Sequence, residues 1–343
     1  MSELTKTKPK SNGLPWIEKY RPTKIEDLVV DQVVKSRLKK YLSLNEFPDI
    51  LIAGVPGIGK TTTILCLANI ILGPLVEAAV LELNASDDRG IKTVEREITN
   101  FCKKKITFAH EGQHKIVLLD EMDNMTTKAQ QKVNILMNTY HKTTRFAFTC
   151  NDSTKIIEGI QSNCSMLRYK RVAPAAVVKR LKQICVMENV EFTPQGLKEI
   201  AEAAAGDLRQ AVNNLQLVYT GFGKAIPKFV RMMCDKPNPD TLRDIFLHSS
   251  KKNLKKAMES LEQLLNTGYS HSDLALGMMS MVKTLTMLPE PLMVEMTKTV
   301  SQCLFAIGNH ADSRLQLSGC VCELYIKAIE YDISKGTKKK GKK

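Results

Sequence analysis

Two apolar runs, Ile50-Leu51-Ile52-Ala53 and Ile116-Val117-Leu118-Leu119, are each four residues long and each follow a charged residue. Runs this short without a polar face predict strands buried on both sides of a parallel sheet. Two further strands are predicted at 80–83 and 145–150. Helical spacing follows Lys60 and recurs around 91–104 and 128–140. Strands alternating with helices predict a doubly wound α/β domain. Such sheets bind ligands beyond the carboxyl ends of their strands. Gly54, Asp120 and Asn151 each stand just past a predicted strand end, so they are expected to converge.

The pattern changes at about Pro174. Short helices are predicted at 175–186, 194–205 and 207–219. After the Pro237-Asn238-Pro239 break, longer amphipathic helices follow at 242–248, 254–265, 272–287, 292–307 and 311–333, with no further strand expected. The chain therefore divides into a disordered start (1–12), an α/β domain (13–173), a small helical domain (174–236), a second helical domain (237–334) and a disordered lysine-rich tail (335–343). A length of 343 residues suits two or three domains.

Composition changes this picture little, with 43% hydrophobic and 25% charged residues. The net charge of +14 is uneven. Six lysines lie after Ser334, and the first twelve residues carry a net +2, which leaves +6 on the body. A basic body with a basic tail points to a polyanionic partner, nucleic acid before a membrane surface. The nine cysteines form no C-x-x-C pair, which fits a reduced intracellular chain. The most apolar stretch, 64–83, is interrupted by Asn69, Gly73-Pro74 and Glu77, so a soluble chain is expected.

The chemistry concentrates in Gly54-Val55-Pro56-Gly57-Ile58-Gly59-Lys60-Thr61, followed by Thr62. This is a P-loop placed between a strand and a helix. Its glycines let backbone N–H groups cradle phosphate oxygens at the helix N-terminus. Lys60 is expected on the β- and γ-phosphates of ATP, and Thr61 on Mg²⁺. Asp120 emerges from a buried strand where such enzymes hold the metal, and Glu121 is placed to orient and deprotonate a water for attack on the γ-phosphorus. His110-Glu111-Gly112-Gln113-His114 matches a zinc-protease string, but it contains a glycine and abuts a strand, so it reads as a loop. Arg89, Lys92 and Arg96 share one helical face that suits a phosphate backbone. Trp16 and the methionines 278, 279, 281 and 287 read as packing.

With these residues in view, the chain resembles the small subunits of replication factor C, the eukaryotic sliding-clamp loader of the AAA+ class, over roughly residues 14–334. The motifs are Leu14-Pro15-Trp16-Ile17-Glu18-Lys19-Tyr20-Arg21-Pro22, the P-loop, Glu82-Leu83-Asn84-Ala85-Ser86-Asp87-Asp88-Arg89-Gly90, Leu119-Asp120-Glu121-Met122-Asp123, Thr143-Thr144-Arg145-Phe146 and Gly206-Asp207-Leu208-Arg209-Gln210-Ala211. Ile64-Leu65-Cys66-Leu67-Ala68, Leu72-Gly73-Pro74 and Gly221-Phe222-Gly223 look most like the subunit 2 branch.

The resemblance implies an AAA+ domain, a helical lid and a collar joining five subunits. It places Tyr20, Arg21 and Pro22 against the adenine, Asn151 as first sensor and Arg209 as second sensor. Arg89 and Lys155 match positions that touch DNA, and 101–109 is a candidate clamp contact. It also implies a nuclear hetero-pentamer that loads a ring clamp onto primer–template DNA for replication and repair. Departures from the family pattern are Asn163 for an arginine finger, Asn134 and Ile135 for two arginines, Gly159 for a proline and Glu95 for a basic residue.

Overall fold

The computed structural model describes residues 13–43, 47–85, 91–108, 113–233, 237–285 and 287–340, with side chains left undescribed over 91–94 and 334–340. It divides into two compact units, Met1–Met233 and Cys234–Lys343.

In the first unit, a short turn of helix α1 (Trp16–Lys19) and α2 (Gln32–Ser43) precede β1 (Ile50–Ala53). Then come α3 (Lys60–Leu72), α4 (Val76–Ala79), β2 (Val80–Asn84), α5 (Ile91–Lys103), β3 (Lys115–Asp120), α6 (Thr127–Tyr140), β4 (Thr144–Cys150), α7 (Glu158–Asn163) and β5 (Ser165–Arg168). The five strands are all parallel in the order β2-β3-β4-β1-β5. Both faces are covered. Ile50 and Ile52 of β1 and Ile116 and Leu118 of β3 enter one core with Leu38, Ile64 and Leu67. Leu51, Val117 and Leu119, pointing the other way, enter a second core with Ile98, Val133, Phe146 and Phe148. A strand alternates sides every residue, so burial on both faces requires the unbroken apolar runs seen in the sequence.

The stretch Lys60–Ala79 is long and apolar enough to cross a membrane. Here its residues Thr63, Ile64, Cys66, Leu67, Ala68 and Leu72 are buried. Gly73, at φ 54°, ends α3 in a conformation that side chains avoid.

The same unit continues through α8 (Pro174–Glu188), β6 (Glu191–Phe192), α9 (Pro194–Ala204), α10 (Leu208–Phe222), β7 (Lys224–Ala225) and α11 (Pro227–Met233). Asp207 caps α10 by accepting from the Gln210 N–H at 2.9 Å, and Gly223 closes it at φ 71°. The second unit is all helical: α12 (Pro239–Ser250), α13 (Leu254–Asn266), α14 (His271–Val282), α15 (Glu290–Gly308) and α16 (Arg314–Lys340). Its core joins Phe246, Leu261, Met278, Met296, Val300 and Leu324.

Four expectations need correction. β5 carries only two apolar residues in succession, too weak a pattern to predict, and it forms because Leu51 of β1 pairs with Met166. β6 and β7 are two-residue strands that pair in parallel, where no strand was expected after Pro174. α14 ends at Val282 rather than 287, because Thr284 turns its N–H (2.9 Å) and hydroxyl (2.8 Å) back onto the Met281 carbonyl. α16 continues to Lys340 through part of the expected disordered tail. Lysine is a good helix former. The expected disordered start, and residues 341–343, lie outside the described residues.

Of the methionines read as packing, Met278 is core while Met287 is 75% exposed. Among the described residues, eight cysteines are free thiols.

Candidate nucleotide site

β1 lies beside β4, and the chain then crosses to the far edge at β2 before working back through β3. The switch point beside β1 is where a parallel sheet opens a crevice. A cavity of about 490 Å³ lies there, lined by residues 56–62, Asp120, Glu121, Thr149, Cys150 and Asn151 from the α/β part. Trp16, Tyr20, Arg21, Pro22, Leu28, Val29 and Val30 line it from the N-terminal segment, and Arg180, Ile184, Leu208, Arg209 and Val212 from α8 and α10. The three strand-end positions do converge: the Gly54 N–H donates to the Cys150 carbonyl at 3.1 Å, next to Asn151.

Lys60 is 9% exposed. Its Nζ donates to the carbonyls of Gly54 (2.7 Å) and Val55 (3.0 Å) and to Asn151 Oδ1 (2.8 Å). Burial lowers its pKa below the usual lysine value, against the upward pull of Asp120. The ammonium is thus held among neutral acceptors, ready for anionic ones. Thr61 Oγ1 donates to Asp120 Oδ2 at 2.9 Å. The other carboxylate oxygen accepts from the Thr149 hydroxyl and, at 3.1 Å, from the Glu121 N–H.

Glu121 adopts a left-handed conformation, φ 56°, and its Oε2 accepts from Asn124 Nδ2 at 3.2 Å. Asp123 accepts the N–H groups of Asn151 (3.2 Å) and Asp152 (3.4 Å), fixing the end of β4 to the loop after β3. Burial pushes the Cys150 thiol up to about 11, so it stays protonated at neutral pH.

The helices after residue 173 close the crevice. Leu208 N–H donates to the Gly57 carbonyl at 3.0 Å. Gly57 has φ 73°, and a Cβ there would collide with the Asp207 carboxylate. Arg209 is exposed and lines the cavity. The N-terminal segment is held by the same helices. Arg180 Nη2 donates to the Tyr20 carbonyl (2.7 Å), Glu188 accepts from Lys19 and from the Tyr20 hydroxyl, and Gln216 accepts from the Trp16 N–H (2.9 Å). Trp16 packs on Tyr219 with ring centroids 5.2 Å apart.

Of the other predicted residues, Arg96 is exposed on α5 and Lys155 on the turn after β4. Arg89 and the side chain of Lys92 lie outside the described residues, as do His110, Glu111 and Gly112. No cluster of metal-binding side chains occurs among the described residues. Glu95 pairs with Lys132 of α6. Gln130 donates to the Lys155 carbonyl at 3.0 Å and accepts from the Ile157 N–H at 2.9 Å. Asn163 Nδ2 donates to Asn134 Oδ1 at 3.2 Å, and a Cβ on Gly159 would stand 2.8 Å from Asn134 Nδ2.

Asp123 stood in a quoted motif without a role. Thr149, Arg180, Glu188 and Gln216 carried no sequence signal, because each acts through contacts made only on folding.

A parallel sheet whose P-loop, acidic strand end and polar strand end share one cavity under a helical lid is a P-loop ATPase of the AAA+ class. Residues 50–172 match the family model of the ATPase family associated with various cellular activities (AAA). Residues 179–220 match the RCF1/5-like, AAA+ ATPase lid domain, and residues 237–323 match the replication factor C C-terminal domain. The chain is 44% identical to replication factor C subunit 4 of Schizosaccharomyces pombe, covering 91% of both chains. It is 41% identical to the probable replication factor C subunit 2 of Dictyostelium discoideum, over 92% of this chain and 94% of that one. Against replication factor C subunit 4 of Saccharomyces cerevisiae the identity is 40%, over 93% and 98%. A solved Thermotoga maritima RuvB variant shares the fold at a TM-score of 0.52 and 15% identity, over 66% of this chain and 79% of that one. The chain belongs to the replication factor C small subunits, clamp-loader ATPases of the AAA+ class.

Proposed function

We propose that this chain is an ATP-binding and hydrolysing subunit of a nuclear hetero-pentameric clamp loader. On this reading the assembly opens the sliding clamp and loads it onto primer–template DNA for replication and repair. The observation that carries the ATPase half is the convergence of Lys60, Thr61, Asp120 and Asn151 in one cavity. Family membership supports the rest.

Phosphate oxygens replace the carbonyls that now surround Lys60, and the P-loop amides of 57–61 bind them. The hydroxyl of Thr61 and the carboxylate of Asp120 are 2.9 Å apart. They are hard oxygen donors, the set that suits Mg²⁺. Bound there, Mg²⁺ supplies positive charge against the β- and γ-phosphates. Glu121 orients the attacking water and takes its proton, Asn151 positions that water, and Arg209 reaches the γ-phosphate from the lid. Tyr20, Arg21 and Pro22 flank the base. Arg89, Lys92, Arg96 and Lys155 are the DNA-facing set. The apolar side chains exposed on α15 and α16, Phe305 at 73% and Leu315 at 80%, support an intersubunit collar.

A second reading, an ATP-binding interaction subunit with little turnover, draws on Asn134 and Asn163. Both are neutral amides bonded to each other where the resemblance calls for arginines. Such a subunit does not stimulate its neighbour's site. The test is a reconstituted ring assayed for ATP turnover with clamp and primer–template DNA, with this subunit's site alone intact. Stimulated turnover is expected. A bound but unhydrolysed nucleotide at this site would establish the second reading instead.

A further inference from the structure

Among the described residues, the N-terminal segment and the lid meet through four polar contacts, made by Trp16, Lys19 and Tyr20 with Arg180, Glu188 and Gln216. Glu188 Oε1, near the end of α8, accepts from Lys19 Nζ at 2.6 Å and from the Tyr20 hydroxyl at 2.5 Å. Arg180, two turns earlier, donates to the Tyr20 carbonyl. Gln216, on α10, accepts from the Trp16 N–H. The side chains of Lys19 and Glu188 are each 17% exposed, so this ion pair is largely shielded from water. From the same segment and helices, Leu28, Val29, Val30, Ile184 and Val212 line the cavity with apolar side chains, alongside Glu18, Arg21 and Arg180. These apolar side chains suit a flat, weakly polar group, while Lys60 and the P-loop amides supply the anion-binding groups from the α/β part.

The Tyr20 hydroxyl is occupied by Glu188, so it is not directed at a ligand. What Tyr20 offers the cavity is its ring and backbone, and their position is set by the lid. Burial would raise the Glu188 carboxyl, but the Lys19 ammonium and the Tyr20 hydroxyl outweigh it and hold it below the usual glutamate range. Glu188 is therefore charged at neutral pH and keeps both partners. The N–H of Leu208 on the same lid grips Gly57 of the P-loop.

We propose that Glu188 is a positioning residue for base recognition: by clamping Lys19 and Tyr20 to the lid, it shapes the wall against which the nucleobase packs, and has no part in holding the triphosphate. This rests on the reading that ATP fills the cavity. Base affinity then depends on the lid standing against the N-terminal segment, whereas phosphate affinity depends on the P-loop.

The test compares binding of ATP and of inorganic tripolyphosphate to the full chain by calorimetry, for the natural sequence, Glu188→Ala and Glu188→Gln, with melting temperatures recorded alongside. Glu188→Ala is expected to weaken ATP about tenfold, the scale of one charged hydrogen bond, and to leave tripolyphosphate unchanged. Glu188→Gln, nearly isosteric and still able to accept from Tyr20, should recover part of the loss. The ratio of the two affinities is a readout that a merely structural role would not move. Equal weakening of both ligands, or of neither, overturns the proposal. If the natural chain binds neither ligand, the nucleotide reading itself fails and the proposal with it. If it binds tripolyphosphate as tightly as ATP, the nucleotide reading stands and the proposal alone falls.

Discussion

At the carboxyl ends of β1, β3 and β4, charged groups are held close together: Lys60 against Asn151 and two carbonyls, Asp120 against Thr61 and Thr149. On the face formed by α6 and α7, built on the same sheet, the corresponding positions are neutral. Asn163 and Asn134 bond only as amides, Gly159 leaves them room, and Ile135 is 63% exposed. One region concentrates charge where a triphosphate would need it. The other has no cation among these four positions. Charged and neutral polar groups are thus divided between two surfaces of one domain.

The largest effect is expected at Lys60. Lys60→Ala removes the cation and is expected to abolish nucleotide binding by this subunit in a filter or calorimetric assay; unchanged binding would sink the P-loop assignment. Glu121→Gln keeps size and hydrogen bonding but cannot take a proton. It should leave ATP affinity intact and lower single-site turnover by ~10²–10⁴, the usual worth of a general base. No loss of turnover would mean this site does little hydrolysis even in the natural ring.

The α6–α7 face is sharpened by Asn163→Arg. It breaks the bond to Asn134 and supplies a guanidinium, and it should raise the clamp- and DNA-stimulated rate of the ring at least about tenfold, short of the ~10³–10⁵ an arginine finger can give. No gain would count against the missing-finger reading. The smallest effect is expected for Gly57→Ala. A side chain at φ 73° costs ~1–2 kcal/mol, and the new methyl presses on Asp207. Thermal unfolding should show a loss of at least that size; a stability equal to the natural chain's would mean Gly57 does not hold its left-handed conformation in solution.

Residues 54–61, the acidic pair at the end of β3 and Asn151 were legible because short-range rules govern them. A P-loop needs glycine and lysine at fixed spacing, and a strand buried on both faces needs an unbroken apolar run. β5 was hidden because two apolar residues in four make no pattern; its pairing with β1 is a long-range hydrogen-bond ladder. The end of α14 was misjudged because the helical spacing of apolar residues runs past Val282, while the Thr284 turn stops the helix.

The amino-acid sequence by itself determined the sheet's central strands, the phosphate-binding loop and the residues that face it, since each depends on neighbours a few positions away. Only the tertiary structure decided that Glu188, Gln216 and Arg180 hold the N-terminal segment, that Asp123 pins Asn151, and that Asn134 and Asn163 meet. Those partners are separated by 28 to 200 positions along the chain. No local propensity links them, and only the packing of finished elements brings their side chains within hydrogen-bond reach.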